Sequence, residues 1–371
     1  MSDHTGLLSN EGKLLRAGYT TGSCATAAAK AAVMSLVSNE LNDFSSETTI
    51  AILTPEAKEL NIPLHTLSST SPKHATASVI KDAGDDYDVT HGIEIFADVI
   101  LIEKSADCII KGGEGVGVIT KPGLQRPVGE AAINPKPLEM IKSNIMPLLP
   151  EGYGVEIVIR VPQGATVAKK TFNERLGIIG GISIIGTSGV VRPMSEDAFK
   201  ASIYAELKQK RHLGVTPLIL VPGKHGELYC ENTLNYPAEN TVHMSNFVGF
   251  ALQSASNLGF EEILIVGHVG KLIKLAGGIF NTHSKVADAK AEILCTHLAL
   301  RGAPIELVEI IYAANTTDEM SEILYNTPYW SVFQKITEIA KDKCVQLLHE
   351  TIKLNVVIYD MKNRLLGETH D

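Results

Sequence analysis

The chain has 371 residues, 44% of them hydrophobic and 20% charged, and a formal net charge of −9. This is an ordinary globular composition at a length that suits two domains, and an acidic balance without a Lys/Arg-rich block argues against nucleic acid as a partner. No apolar run reaches about 18 residues and the opening MSDHTGLLSNEGK has no leader pattern, so the sequence reads as cytoplasmic with no membrane partner.

The first predicted element is a helix through the alanine-rich run from Cys24, capped by Thr21 or Ser23. Strands are expected at 77–80, 92–102 and 155–161, with a helix near 135–146 and a strand-like ISII at 182–185. A domain boundary is placed near Pro193. Beyond it Ser195 opens a helix, with Glu196 and Asp197 in its first turn and Phe199, Ile203 and Leu207 as its stripe. PLILV (217–221) and EILIV (262–266) read as buried parallel strands. The helix between them carries Phe247, Val248, Ala251, Leu252 and Ala255 and stops at Gly259. A helix around 288–300 ends at Gly302, IELVEIIY (305–312) reads as a strand, and a helix around 331–349 precedes the strand NVVIY (355–359). The predicted class is α/β in two domains: an α+β domain over 1–193 and an open, mostly parallel, Rossmann-like α/β domain over 194–371.

Four segments carry candidate chemistry. SVIKDAGDDYDVTHG (78–92) crowds Lys81, Asp82, Asp85, Asp86, Asp88 and His91 around one glycine, and so many like charges require a cation, a proton or a buried Lys to neutralise some of them. An Asp or His there can act as a base or hold a cationic ligand; the plainer reading is a solvated Asp-rich turn. KGGEGVGVITKPGLQRPVGE (111–130) lacks both the dinucleotide fingerprint and the phosphate loop. It is either a backbone nest with Lys121 and Arg126 for carboxylates or phosphates, or a pair of tight turns. LGIIGGISIIGTSG (176–189) has glycines about a strand edge where a nucleoside fits, or else a strand with glycine bulges. VGHVGKLIKLAGGIFNTHS (266–284) starts at a strand end, where open α/β sheets bind ligands, which singles out His268, Lys271, Lys274 and His283. The five cysteines are far apart and suggest neither a disulfide framework nor a structural zinc site.

With LRAGYTTGSCATAAAKAA (15–32) and FNERLGIIGGISIIGTSGVVRPMS (172–195), these segments, in this order, resemble the CbiD family of cobalt-precorrin-5B C(1)-methyltransferases. Tyr87 and Glu174 stand where that family commonly has Pro. The resemblance implies transfer of a methyl group from S-adenosylmethionine to C-1 of a cobalt-bound tetrapyrrole in cobalamin biosynthesis. The product would be cobalt-precorrin-6A, with cobalt entering only as part of the substrate. It also implies cations for the many carboxylates of the macrocycle, with Lys121, Arg126, Arg175, Arg192, Lys271 and Lys274 as candidates beside His268 and His283. Thr20, Thr21 and Ser23 would offer hydroxyls and helix N–H groups to a carboxylate. The donor is expected against Gly180, Gly181, Gly186, Thr187 and Ser188, and Asp88 or His91 is expected to assist proton movement. A homo-oligomer remains compatible with the sequence.

Overall fold

The computed structural model describes residues 7–10, 13–38, 45, 47–193, 195–348 and 352–370. Most of the opening segment, residue 194 and residue 349 at the end of one expected helix lie outside them. The chain divides into two compact units, Met1–Glu196 and Asp197–Asp371. No helix among the described residues is long and apolar enough to cross a membrane.

Unit 1 is built on helix α1 (Thr21–Val37), strands β1 (Thr66–Ser71), β2 (His74–Ile80), β3 (Glu94–Glu103) and β4 (Cys108–Gly112), helix α2 (Pro135–Ile145) and strand β5 (Tyr153–Arg160). The sheet order is β1-β2-β3-β5-β4, antiparallel except where β5 runs parallel to β4. Alternation sets the faces. Ile95, Ala97, Val99 and Leu101 of β3 and Val155, Ile157 and Ile159 of β5 are buried in one core with the alanines of α1. The residues between them face the more exposed side and mix polar with apolar groups; there Asp98 takes Arg160 and Thr76 as partners, as on a half-solvated antiparallel sheet. Helix α1 is buried almost all round, which its alanines permit because they bring no bulk to any face. It begins at Thr21 rather than Cys24, and its cap is Thr20, not Thr21 or Ser23: Thr20 Oγ1 accepts the Ser23 N–H at 3.1 Å. The expected ISII strand is reduced to isolated bridges, Ile182 with Val116 and Ile184 with Ile133.

In unit 2 the elements are α3 (Glu196–His212), β6 (Leu218–Val221), α4 (Lys224–Asn232), β7 (Thr241–His243), α5 (Val248–Asn257), β8 (Glu262–His268), α6 (Val269–Leu272), α7 (Lys290–Leu300), α8 (Ile305–Ala313), α9 (Thr317–Leu324), α10 (Val332–Leu348), β9 (Lys353–Tyr359) and β10 (Leu365–Glu368). The sheet order is β7-β6-β8-β9-β10, parallel apart from the antiparallel β10. This is the mostly parallel α/β sheet expected from the sequence. Leu218 and Leu220, Ile263 and Ile265, and Leu354, Val356 and Ile358 point to the larger core with α5 and α10. Ile219, Val221, Leu264, Val266, Val357 and Tyr359 point the other way, onto Tyr229 and Cys230 of α4. Helices therefore cover both faces. On α3, Ile203 and Leu207 are buried while Phe199 is half exposed, so the stripe is narrower than expected.

Two sequence expectations change here. Residues 305–312 are not a strand but helix α8: Gly302 at φ 75° and Pro304 precede it, and Leu307, Val308 and Ile311 supply a helical stripe to the core. The β-branched run is misleading because Ile305, Ile310 and Tyr312 face outward. The strand beside β6 is instead β7, three residues long and too short to announce itself.

Candidate active site

In unit 1 the structure joins the segment 15–32 to the segment 172–195. Ser23 Oγ donates to the Gly189 carbonyl at 2.6 Å, Thr21 Oγ1 accepts the Ile185 N–H at 2.8 Å, and the Gly22 N–H donates to the Ile185 carbonyl at 2.9 Å. The hydroxyls and N–H groups of Gly22 and Ser23 are thus taken by the chain itself. The expected anion site at this helix start gives way to a clasp between TTGS and residues 183–189.

The glycines of 176–189 behave likewise. A Cβ on Gly181 would lie 2.1 Å from the Gly115 carbonyl oxygen, and one on Gly164 would lie 2.0 Å from that same oxygen. Gly186, at φ 145°, would place a Cβ 2.3 Å from Thr20 Oγ1. These positions lack side chains because other parts of the chain occupy the space. That removes the reason for seating a nucleoside against Gly181 and Gly186. Gly180 and Thr187 are exposed, and Ser188 Oγ bonds the Val190 carbonyl at 3.1 Å.

The Asp-rich loop is organised by a buried lysine. Lys81, 1% exposed, donates to Asp88 Oδ2 at 2.5 Å, while the Thr90 N–H and Oγ1 occupy Asp88 Oδ1 at 2.7 and 2.5 Å. Burial would raise the Asp88 carboxyl, but the Lys81 charge and these hydrogen bonds outweigh it and hold the group below its ordinary value. Arg16 grips Asp82 with both terminal nitrogens, and its own N–H donates to Asp85 Oδ2 at 2.7 Å. Of the three ways to neutralise the charges, the chain uses a buried Lys, with an Arg beside it.

His91 differs from Asp88. Its ring is half exposed, Nδ1 accepts the Ala83 N–H at 3.1 Å, and the neutral imidazole therefore carries its proton on Nε2. Residues 84–89 and His91 line an open depression of about 600 Å³, from which Tyr87 projects almost fully exposed.

The expected cations are scattered. Lys121 lies with its methylenes over Gly177, Arg126 pairs with Glu130, Arg175 is half-buried and Arg192 is exposed. In unit 2, Lys274 is buried and donates to the carbonyls of Thr282 and Ala287 at 3.0 and 2.8 Å, which makes it a loop anchor rather than a substrate contact. Burial lowers the pKa of half-buried Lys271, with Lys274 adding to the effect. His283 is exposed and accepts the Lys285 N–H on Nδ1.

The carboxyl ends of the unit 2 strands carry more chemistry than the sequence suggested. β7 ends in His243, whose Nε2 lies 2.8 Å from the buried Glu227. β8 ends in His268, which accepts the Gly270 N–H on Nδ1 and reaches Asp318 through Nε2 at 3.1 Å. β9 ends in Tyr359, stacked on Tyr229 at 3.9 Å and bonded through its hydroxyl to His225 Nδ1 at 3.1 Å. Glu227, His225, Asp318 and Tyr359 were not singled out from the sequence. The available signal was that three apolar runs, VH, VGH and IY, each end on His or Tyr.

A sequence model described as CbiD matches residues 8–193, and one described as CbiD, C-terminal domain, matches residues 281–370. The chain belongs to the CbiD family. Relatives named cobalt-precorrin-5B C(1)-methyltransferase include one from Tolumonas auensis, 43% identical over 96% of this chain and 94% of its own. Another from Clostridioides difficile is 41% identical over 97% and 96%, and one from Listeria monocytogenes is 42% identical over 97% and 95%. A crystal structure of the cobalamin biosynthesis protein CbiD from Archaeoglobus fulgidus is 29% identical, covers 77% of this chain and 88% of its own, and aligns with a TM-score of 0.41. In this CbiD chain the clasp, the glycine contacts and the Lys81 loop all fall within the first matched region. His283, Asp318 and Tyr359 fall within the second.

Cys24 sits in the unit 1 core near Lys81. Burial chiefly pushes its thiol up to about 12, with Asp82 and Asp88 reinforcing the rise and Lys81 opposing it. Cys230, Cys295 and Cys344 are also buried, leaving Cys108 as the partly exposed thiol. Ellman's reagent at pH 8 is therefore expected to modify Cys108 first in the native protein and to reach Cys24 only on unfolding. Rapid native labelling of Cys24, read by peptide mapping, would contradict its placement.

Proposed function

We propose that this chain transfers a methyl group from S-adenosylmethionine to C-1 of cobalt-precorrin-5B, giving cobalt-precorrin-6A during corrin ring construction. The supporting observation is likeness along nearly the whole chain to relatives bearing that activity as their name. When bound, the donor supplies an electrophilic methyl carbon. The chain's own task is then to hold the acceptor carbon in line with it, since orientation alone can supply about 7–11 kcal/mol of a barrier.

Lys121, Arg175 and Arg192 are the cations we assign to the carboxylates of the macrocycle. For proton movement, His91 is the better placed of the two expected residues, since its half-exposed ring lines the depression. Asp88 acts as its positioning residue: the Asp88 carbonyl accepts the His91 N–H at 2.9 Å, and its carboxylate is filled by Lys81 and Thr90. Five free thiols suit a reducing cytoplasm. Incubation with methyl-labelled donor and cobalt-precorrin-5B is expected to place label on the macrocycle. An unlabelled macrocycle with authentic substrate would refute the reading.

A further inference from the structure

The unit 2 sheet changes direction once. From β6 the chain passes through α4 to β7 on one side, then through α5 to β8 on the other side of β6. Helix α4, which follows β6, covers one face, and α6 and α10, which follow β8, pack on the opposite face. The connections leaving β6 and β8 therefore diverge, and open α/β sheets bind their ligands in the crevice at the carboxyl ends of two such strands.

Several independent features meet there. The floor is closed, because a Cβ on Gly267 would lie 3.0 Å from both Pro222 Cδ and the Leu272 side chain. The wall above it is open: Gly223 has an extended φ of 172°, and a Cβ on it would meet nothing within 4 Å. Rings border the opening. His225 is exposed and lies 5.3 Å from the Tyr359 ring, and the His268 ring lies 6.2 Å from that same ring. Both rings are fixed in orientation, His225 by the Tyr359 hydroxyl and His268 by the Gly270 N–H and Asp318. With Gly270 donating to Nδ1, His268 holds its proton on Nε2 toward Asp318, so this ring is set as a fixed surface rather than a proton carrier. Lys271, half-buried three residues after His268, has no ion-pair partner among the described residues.

Oriented heteroaromatic rings beside open backbone suit a flat, polar heterocycle, and Lys271 suits a carboxylate attached to it. We infer that this crevice, bounded by Gly223, His225, His268 and Tyr359, seats the adenosyl portion of the methyl donor. The inference rests on the methyltransferase reading above. It moves the donor from the glycine-rich strand edge of unit 1 to the strand ends of unit 2.

Calorimetric titration of the full chain with S-adenosylhomocysteine tests it against the Gly223→Leu variant. The extended backbone and open space at Gly223 let leucine fit without strain, so the variant is expected to keep its melting temperature while its Kd weakens by about tenfold or more. Photolabelling with an azido-adenosyl analogue is expected to mark peptides containing His225 or His268. Undiminished binding by Gly223→Leu, or label confined to residues 180–188, would overturn the inference and leave the methyltransferase reading standing. A wild-type chain that neither binds S-adenosylhomocysteine nor transfers label would bring down both.

Discussion

Asp88→Ala is expected to lower the unfolding free energy by about 3–5 kcal/mol, because it strands a cation that has no route to water. Lys81 is 1% exposed and its Nζ donates to the Asp88 carboxylate. Exposed pairs such as Lys136 with Glu139 should each be worth less than about 1 kcal/mol. The double variant Lys81→Met/Asp88→Leu is expected to recover most of the loss, since an apolar pair of similar volume removes both charges together. Urea unfolding of the three proteins decides the point; a loss below about 1 kcal/mol in Asp88→Ala would mean that Lys81 finds another counter-charge. The pH dependence follows from the sign of the shift. Asp88 sits below its ordinary value in the folded chain, so its contribution is fully present above the unfolded-state value near about 3.9. It is lost as pH falls through the depressed folded value. Asp82 and Asp98, lowered chiefly by hydrogen bonds from Arg16 and Arg160, act in the same direction.

Gly164→Ala and Gly181→Ala are each expected to destabilise unit 1 by about 3 kcal/mol or more. A new methyl would lie 2.0 Å from the Gly115 carbonyl oxygen in the first and 2.1 Å in the second. Overpacking a core ordinarily costs about 1–3 kcal/mol when side chains can shift. Here the obstacle is backbone, and the same Gly115 oxygen already accepts the Ile182 N–H at 3.0 Å. Gly180→Ala provides the contrast. Its added Cβ would meet nothing, so only the strain of φ 85° applies, about 1–3 kcal/mol. Thermal unfolding followed by circular dichroism should separate the first two variants from the third. Equal losses in all three would remove the packing explanation.

These contrasts show what the sequence could and could not reveal. Alternation in EIFADVILI and in EILIV announced strands because one residue in two had to be buried or the whole run had to be, and the alanine run announced a helix. The strand wrongly expected at 305–312 had the right residue types, but Pro304 and the buried face of Leu307, Val308 and Ile311 decided for a helix. Site residues were harder to read. Glycine clusters mark close approach without saying what approaches, and here it is the chain's own Gly115 and Thr20. Pairs such as His268 with Asp318 or Tyr359 with His225 join residues far apart in sequence, and only the sheet register brings them together.

An alanine surface is smooth, and that has a consequence for α1. Turning this helix about its axis replaces one methyl group by another, so apolar packing alone specifies its depth in the core far better than its angle. The angle is set by a few directional contacts: Thr21 and Ser23 to the 183–189 segment at one end, and Lys30 Nζ to the Ala51 carbonyl at 2.6 Å farther along. Rotational register is thus decided by polar groups on an element whose cohesion is apolar. The hydroxyls of TTGS serve as the key that fixes one orientation among several that the methyl groups would accept.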